Sequence, residues 1–355
     1  MIYVAQCILL YLTALICFGS KLKFDRNKNI FMLLSMLVLF FIIGFRDISV
    51  GVDTANYALY FKYMGVQSWK DILSGVDTHG LEIGYRILFK FFHDILGSYY
   101  VFQIFYAIIY CALSANFIKK TVPNYFFGFV LYLGVGMTYQ ALNIQRQMLA
   151  VIVVVNGFLY LREKKYLHTV ILFVIGILLQ NISIVFLTAL IIYQLRDNKW
   201  IMRLMPIGIV LVAVNYRSFI QLARVYFPRY GNYYVNQRVI QTASGIWAIW
   251  IIIIVLSIYS LYVKKNRNEE FKVYCILSII YVVCNIIGLY FNYFERLGLY
   301  FIPFVPAFFY YFGKQILDGK YRICYYSAAA VSFTSYYLLS TVSGTMLEYS
   351  SFLFK

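Results

Sequence analysis

The sequence predicts an all-α, polytopic integral membrane protein of about 10 spans plus a re-entrant helical hairpin, with both termini extracytoplasmic. Three observations carry this prediction. Hydrophobic residues make up 63% of the 355-residue chain and charged residues only 13%, too few charges to solvate a soluble domain, in which roughly half the residues are apolar. The apolar residues collect in runs of membrane-crossing length, roughly 17 to 25 residues. The short segments joining these runs are basic on alternate sides, as the positive-inside rule requires of cytoplasmic loops.

The first span falls at 3–19; with no basic leader and no small-residue cleavage site, it is expected to be retained. Lys21, Lys23, Arg26 and Lys28 place 20–28 in the cytoplasm, and a second span returns over 29–45. Residues 46–98 then form an extracytoplasmic loop, whose apolar runs suggest amphipathic helices lying in the interface. Spans 99–118 and 124–142 flank Lys119 and Lys120, and span 146–161 leads to Arg162, Lys164 and Lys165. Further spans fall at 204–220, 246–263, 273–291, 297–312 and 323–343. Basic segments 196–203, 264–272 and 313–322 join them inside, and residues 221–245 form a second outer loop.

One stretch breaks the alternation: 167–195 is apolar, yet basic segments flank it on both sides. It fits a re-entrant hairpin of two short helices with Gln180, Asn181 and Ser183 at its tip. Non-helical backbone at that depth must be buried in protein or line a wet cavity. The chain as a whole, 1–355, reads as a single transmembrane domain.

A net charge of +17 would suggest nucleic-acid binding in a soluble protein, but most of it sits in the short inner loops, so no nucleic-acid partner is expected. The six cysteines show no CxxC or Cys/His grouping, which argues against a disulfide framework or a metal site, and no cofactor is expected. The two basic residue types part company. Of 17 lysines, 13 fall in the cytoplasmic segments, whereas eight of 14 arginines fall outside or in the adjoining membrane. Lysine sorts by topology; Arg46, Arg146, Arg224, Arg229, Arg238 and Arg296 do not.

Several of these arginines stand among residues able to do chemistry. Arg46 and Asp47 close the second span, and Gly51-Val52-Asp53 leads to Tyr57, bringing opposite charges to the membrane surface. The alternative is interfacial snorkelling and a surface ion pair worth about 0–1 kcal/mol. Arg146 sits in Asn143-Ile144-Gln145-Arg146-Gln147 between two apolar stretches, where an unpaired charge is expensive and points to function. The loop 221–245 holds Arg224, Arg229 and Arg238 among tyrosines, with no lysine and no acid. Guanidinium forks suit phosphate oxygens, and tyrosine faces suit sugar rings. Arg296 follows Glu295, although adjacent residues on a helix do not face each other.

In order and placement these motifs resemble the EpsG branch of the Wzy-type polysaccharide polymerases: Arg46 with Gly51-x-Asp53-x-x-x-Tyr57, then Glu82-x-Gly84-Tyr85, Arg146-Gln147 opening a span, a polar break in a short apolar pair, and a late Arg296. One position departs. Where the resemblance leads one to expect histidine in a Phe-His-x-Ser-like pattern, this chain has Gln180-Asn181-Ile182-Ser183, so no imidazole role is carried over to Asn181.

The resemblance implies a glycosyltransferase C-like fold that joins oligosaccharide repeat units carried on undecaprenyl pyrophosphate at the outer face of the cytoplasmic membrane. The product would be a capsule, exopolysaccharide or O-antigen. It implies a metal-independent glycosyltransferase with Asp53, Glu82 and Arg146 in catalytic roles. Arg46, Tyr57, Gln147, Asn181, Arg224, Arg229, Arg238 and Arg296 would bind substrate. The partners implied are the lipid-linked oligosaccharide, the bilayer and a chain-length regulator. Two other classes compete: a lipid-linked oligosaccharide flippase, which should show repeat halves, and a membrane transferase of single sugars, for which Asp47 and Asp53 would supply the acidic pair. An O-acyltransferase would need a partnered histidine, and His79, His93 and His168 show none in the sequence.

Overall fold

The computed structural model describes residues 2–18, 24–75, 79–218, 221, 244–263, 268–290, 292–342 and 348–354. Among them the chain is helical apart from turns and one isolated antiparallel bridge between Arg46 and Ser351. It divides into two compact units, one of Met1–Ile184 with Ala328–Lys355 and one of Val185–Ser327.

The first unit begins with α1 (Ile2–Phe18) and α2 (Phe24–Gly44). Residues 46–98, expected as an extracytoplasmic loop with amphipathic helices, carry three helices: α3 (Thr54–Val66), α4 (Trp69–Ser74) and α5 (Ile83–Leu96). The apolar face of α5 buries Tyr85, Phe89 and Phe92 and joins Phe61, Tyr99 and Phe102 in an aromatic cluster with ring centroids 4.7–6.5 Å apart. Two basic side chains of α5 fasten the shorter helices to it. Arg86 donates to the Ile72 carbonyl at 2.6 Å, and Lys90 donates to that of Gly65 at 2.9 Å. Both acceptors lie near helix C-termini, where cations are favoured.

Helix α6 (Tyr99–Thr121) packs on α2 and on α9 (Gln145–Arg162). The run expected as one span over 124–142 is bent by 52° between α7 (Tyr125–Gly134) and α8 (Met137–Asn143). Gly136, at φ +87°, makes the bend in the left-handed region that side chains avoid. The hydroxyls of Tyr106 and Tyr110 donate to the Ala141 and Met137 carbonyls at 3.1 and 3.2 Å, tying α8 to α6.

Helix α9 is apolar around most of its circumference and buried along nearly its whole length, as such a helix must be. It lies against α10 (Tyr166–Leu179), and Gly176 allows the approach, since a Cβ there would stand 2.2 Å from Val154 Cγ1. The stretch expected as a hairpin breaks at Gln180 into a 3-10 turn, Asn181–Phe186, followed by α11 (Leu187–Gln194).

The second unit holds α11, α12 (Lys199–Val214) and helices Ser244–Ile258, Glu269–Gly288, Asn292–Gly298 and Val305–Ile316. The continuous span expected over 297–312 is interrupted after Gly298, because Pro303 and Pro306 lack the amide to continue a helix and instead start new ones. The last long helix, Gly319–Val342, begins in the second unit and ends in the first. Four described helices are long and apolar enough to cross a membrane, or five if the bent pair counts as one span. The chain is a membrane-embedded helical protein.

Candidate functional site at the opening of helix α9

Ile144 lies off the helix (φ −113°, ψ 59°) between Asn143 at the end of α8 and Gln145 at the start of α9. This irregular turn gives its polar side chains different directions and different partners. Asn143 Oδ1 accepts the Val52 amide at 2.9 Å. Gln145 Oε1 accepts Arg46 Nη2 at 3.2 Å and the Tyr99 hydroxyl at 3.0 Å. Arg146 Nη1 donates to the Gly80 carbonyl at 2.8 Å and lies 2.6 Å from Glu82 Oε2. Gln147 is buried beside them.

Glu82 is the residue before the first turn of α5, in extended conformation, and its other oxygen, Oε1, accepts the Asn181 amide at 3.2 Å. One carboxylate therefore joins the start of α9 to the break after α10. The nearby glycine has a steric reason: a Cβ on Gly84 would stand 2.7 Å from the Leu178 carbonyl oxygen. Asn181 contributes its backbone amide, which any residue but proline supplies, so this contact does not depend on a histidine there.

Gly51 takes φ +103°, and a Cβ there would lie 2.3 Å from the Leu142 carbonyl. Thr54 Oγ1 donates to the Val50 carbonyl at 2.7 Å and to that of Leu142 at 3.3 Å. These contacts, with Asn143 on Val52, hold the Gly51–Asp53 turn against the end of α8. Asp53 precedes α3 half-buried, with no side-chain capping bond and no partner for its carboxylate among the described residues. Tyr57 is buried with its ring 5.9 Å from that of Tyr85. Burial pushes the pKa of the Tyr85 hydroxyl well up, and the Arg146 charge pulls it back.

Arg46 is fully enclosed, at 0% exposure. It donates to the Ile43 carbonyl at 2.6 Å and to Gln145, while Gln103 Nε2 holds the Gly44 and Arg46 carbonyls at 3.0 and 2.8 Å. It therefore meets the turn through Gln145. Buried polar capacity is left over around the turn: Arg46 Nε, Gln145 Nε2, Tyr85 Oη and Arg146 Nε have no hydrogen-bond partner among the described residues. Buried polar groups are normally paired, so this turn retains donor capacity beyond its own contacts.

The sequence motifs thus meet at one turn. Arg46, Glu82 and Arg146 join it directly, the Asn181 backbone through Glu82, Asp53 through its neighbour Val52, and Tyr57 through Tyr85. Two expectations are sharpened. Arg146 is paired, and Glu82, expected to act on the acceptor, has both oxygens engaged. Gln145, Asn143 and Tyr99 carry more of the structure than expected; only the polarity of the 143–147 run signalled the first two, and nothing signalled Tyr99. Arg296 lies in the second unit on helix Asn292–Gly298, beside Glu295, whose carboxyl pKa is raised by burial and lowered by the Arg296 charge. Arg224, Arg229 and Arg238 lie outside the described residues. Among the described residues, no three His, Cys, Asp or Glu side chains group as a metal site.

No curated protein and no solved structure matches the chain. The EpsG family profile matches residues 29–351, a range that takes in every residue of the turn and its partners. The chain belongs to the EpsG family, which points to polysaccharide biosynthesis by a polymerase with glycosyltransferase-like activity.

Proposed function

We propose that this chain polymerises undecaprenyl-pyrophosphate-linked oligosaccharide repeat units at the outer face of the cytoplasmic membrane. The observation that carries the reading is the turn at 143–147, which draws residues from four distant parts of the chain onto one buried cationic centre. The ten-span topology, the glycosyltransferase C-like fold and the extracytoplasmic termini belong to the same proposal.

A hydroxyl of the acceptor unit attacks the anomeric carbon of the donor chain. The new glycosidic C–O bond forms as the anomeric C–O bond to the lipid pyrophosphate breaks, and the pyrophosphate leaves with the electron pair. Negative charge grows on that leaving group, and preorganised cationic donors in a water-poor site stabilise it best. Arg146 commits Nη1 to Gly80 and Glu82, and its side chain, still 17% exposed, brings the guanidinium charge to phosphate oxygens. Arg46 adds its enclosed charge. Asp53, whose carboxylate is uncommitted, accepts the proton of the attacking hydroxyl. Glu82 holds Arg146 in place. Arg224, Arg229, Arg238 and Arg296 enter the proposal as phosphate and sugar contacts from the sequence alone.

The test is complementation of a deletion strain, with surface polysaccharide resolved on gels. Arg146→Ala and Asp53→Asn, present in the membrane at normal levels, are expected to leave single repeat units, with polymer formation down about 10²–10³-fold. Unchanged long-chain product with Arg146→Ala would sink the proposal. Units accumulating on the inner leaflet of the deletion strain would indicate a flippase, and truncated repeats a transferase of single sugars.

A further inference from the structure

Residues 348–354 lie against the segment that carries Arg46. Arg46 and Ser351 pair as an antiparallel bridge, and the Asp47 amide donates to the Ser350 carbonyl at 2.9 Å. Ser351 Oγ donates to the Phe45 carbonyl at 2.7 Å, and the hydroxyls of Ser49 and Ser350 are 3.1 Å apart. The Phe352 ring stacks on Phe45 with centroids 5.8 Å apart and lies 4.2 Å from the ring of Tyr100 on α6. Tyr349 meets Tyr3 of α1 edge-on at 6.5 Å. Residues some 300 positions apart are thus sewn together at the end of α2.

The Arg46 guanidinium is held by a backbone carbonyl and a side-chain amide, with no carboxylate in ion-pair reach among the described residues. Its charge is therefore enclosed and uncompensated. A buried charge in that state is costly, and its field on a neighbouring anion is strong only while water is kept away. Burial raises the pKa of the Tyr349 hydroxyl and Arg46 lowers it, so this segment lies within the arginine's field.

We infer that residues 348–354 are a working part of the site: Ser350, Ser351 and Phe352 are positioning residues that close the Arg46 segment and set its guanidinium against Gln145. The inference rests on the polymerase reading above, since it assigns the enclosed charge to the anionic leaving group. The segment acts on that group only through Arg46.

Two sets of measurements test it, both on the full chain carrying an N-terminal tag. The first is independent of activity. In a Cys324→Ala background, which removes the exposed native thiol, a Ser49→Cys/Ser350→Cys protein is expected to form a disulfide, found by mass spectrometry of the linked peptides. In detergent, Arg46→Cys is expected to resist a hydrophilic maleimide and to become labelled once 348–355 are removed. The second set reads polymer in the deletion strain. Phe352→Ala and removal of 348–355 are expected to lower long-chain product roughly tenfold to a hundredfold at equal membrane levels. Phe352→Ala decides the case if truncation reduces the amount of protein. An Arg46→Cys labelled equally with and without the segment, or full-length polymer from Phe352→Ala, overturns the inference. If Arg46→Ala and Arg146→Ala both leave polymer intact, the polymerase reading has failed; if they abolish it and Phe352→Ala does not, the inference alone has failed.

Discussion

The contact between Glu82 and Arg146 decides whether Glu82 is a base or a brace. Their side chains keep only 10% and 17% of their surface, at a separation of 2.6 Å. Removing one partner of a buried pair costs about 3–5 kcal/mol, and the residual exposure brings this toward roughly 2–4 kcal/mol. Glu82→Gln keeps an oxygen for the Asn181 amide while removing the charge, so it isolates the ion pair. Either Glu82→Gln or Arg146→Gln should lower Tm by roughly 5–15 °C, at about 2–4 °C per kcal/mol for a unit of this size. The double variant should lose little more than either alone, because it leaves no buried charge without its partner. Thermal unfolding of the detergent-purified proteins gives the cycle, with an expected coupling of about 2 kcal/mol or more. Polymer formation measured alongside should fall less with Glu82→Gln than with Asp53→Asn. Additive losses, within about 0.5 kcal/mol, would refute the brace. So would a Glu82→Gln protein that is fully stable yet inactive, which would make Glu82 the base after all.

Two further outcomes follow from local geometry and charge. Gly51→Ala meets both a positive φ and a carbonyl 2.3 Å away, so a loss of about 1–3 kcal/mol or more is expected in the same unfolding assay. Glu163, exposed in the turn after α9, takes hydrogen bonds from Lys120 and Lys165, which hold its carboxyl pKa down to about 2. A depressed carboxylate contributes stability above its unfolded value and loses it only as pH falls through the folded one. Infrared difference spectra of wild type against Glu163→Gln should therefore show this carboxylate still ionised at pH 3–4, and protonation near its ordinary value of about 4.3 would contradict the cluster.

Much of the helical pattern was legible in the sequence because transfer into a membrane is a local property of each run. The apolar runs at 3–19, 29–45 and 99–118 reappear as helices α1, α2 and α6 with shifted ends, the last two long and apolar enough to cross a membrane. Breaks were legible only in part. The polar tip at Gln180 announced itself in an otherwise apolar stretch, whereas the bend at Gly136 and the stop after Gly298 depend on backbone geometry that hydropathy averages away. In 46–98, amphipathic runs were visible but their target was not: α5 turns its apolar face to the protein, against α3 and α6.

By itself the sequence determined the class of protein, the order of its apolar segments, and a set of arginines that topology does not explain. Only the tertiary structure decided which of them meet. Arg46, Val52, Glu82, Asn181 and Ser351 are brought to Gln145–Arg146 or to each other by contacts across tens to hundreds of residues. The physical reason is that a charge's role is set by its partners. Arg146 looked like a lone cation until packing supplied Glu82, and Ser350-Ser351-Phe352, featureless as a sequence, came to lie against the segment that carries Arg46 once the chain had folded back on itself.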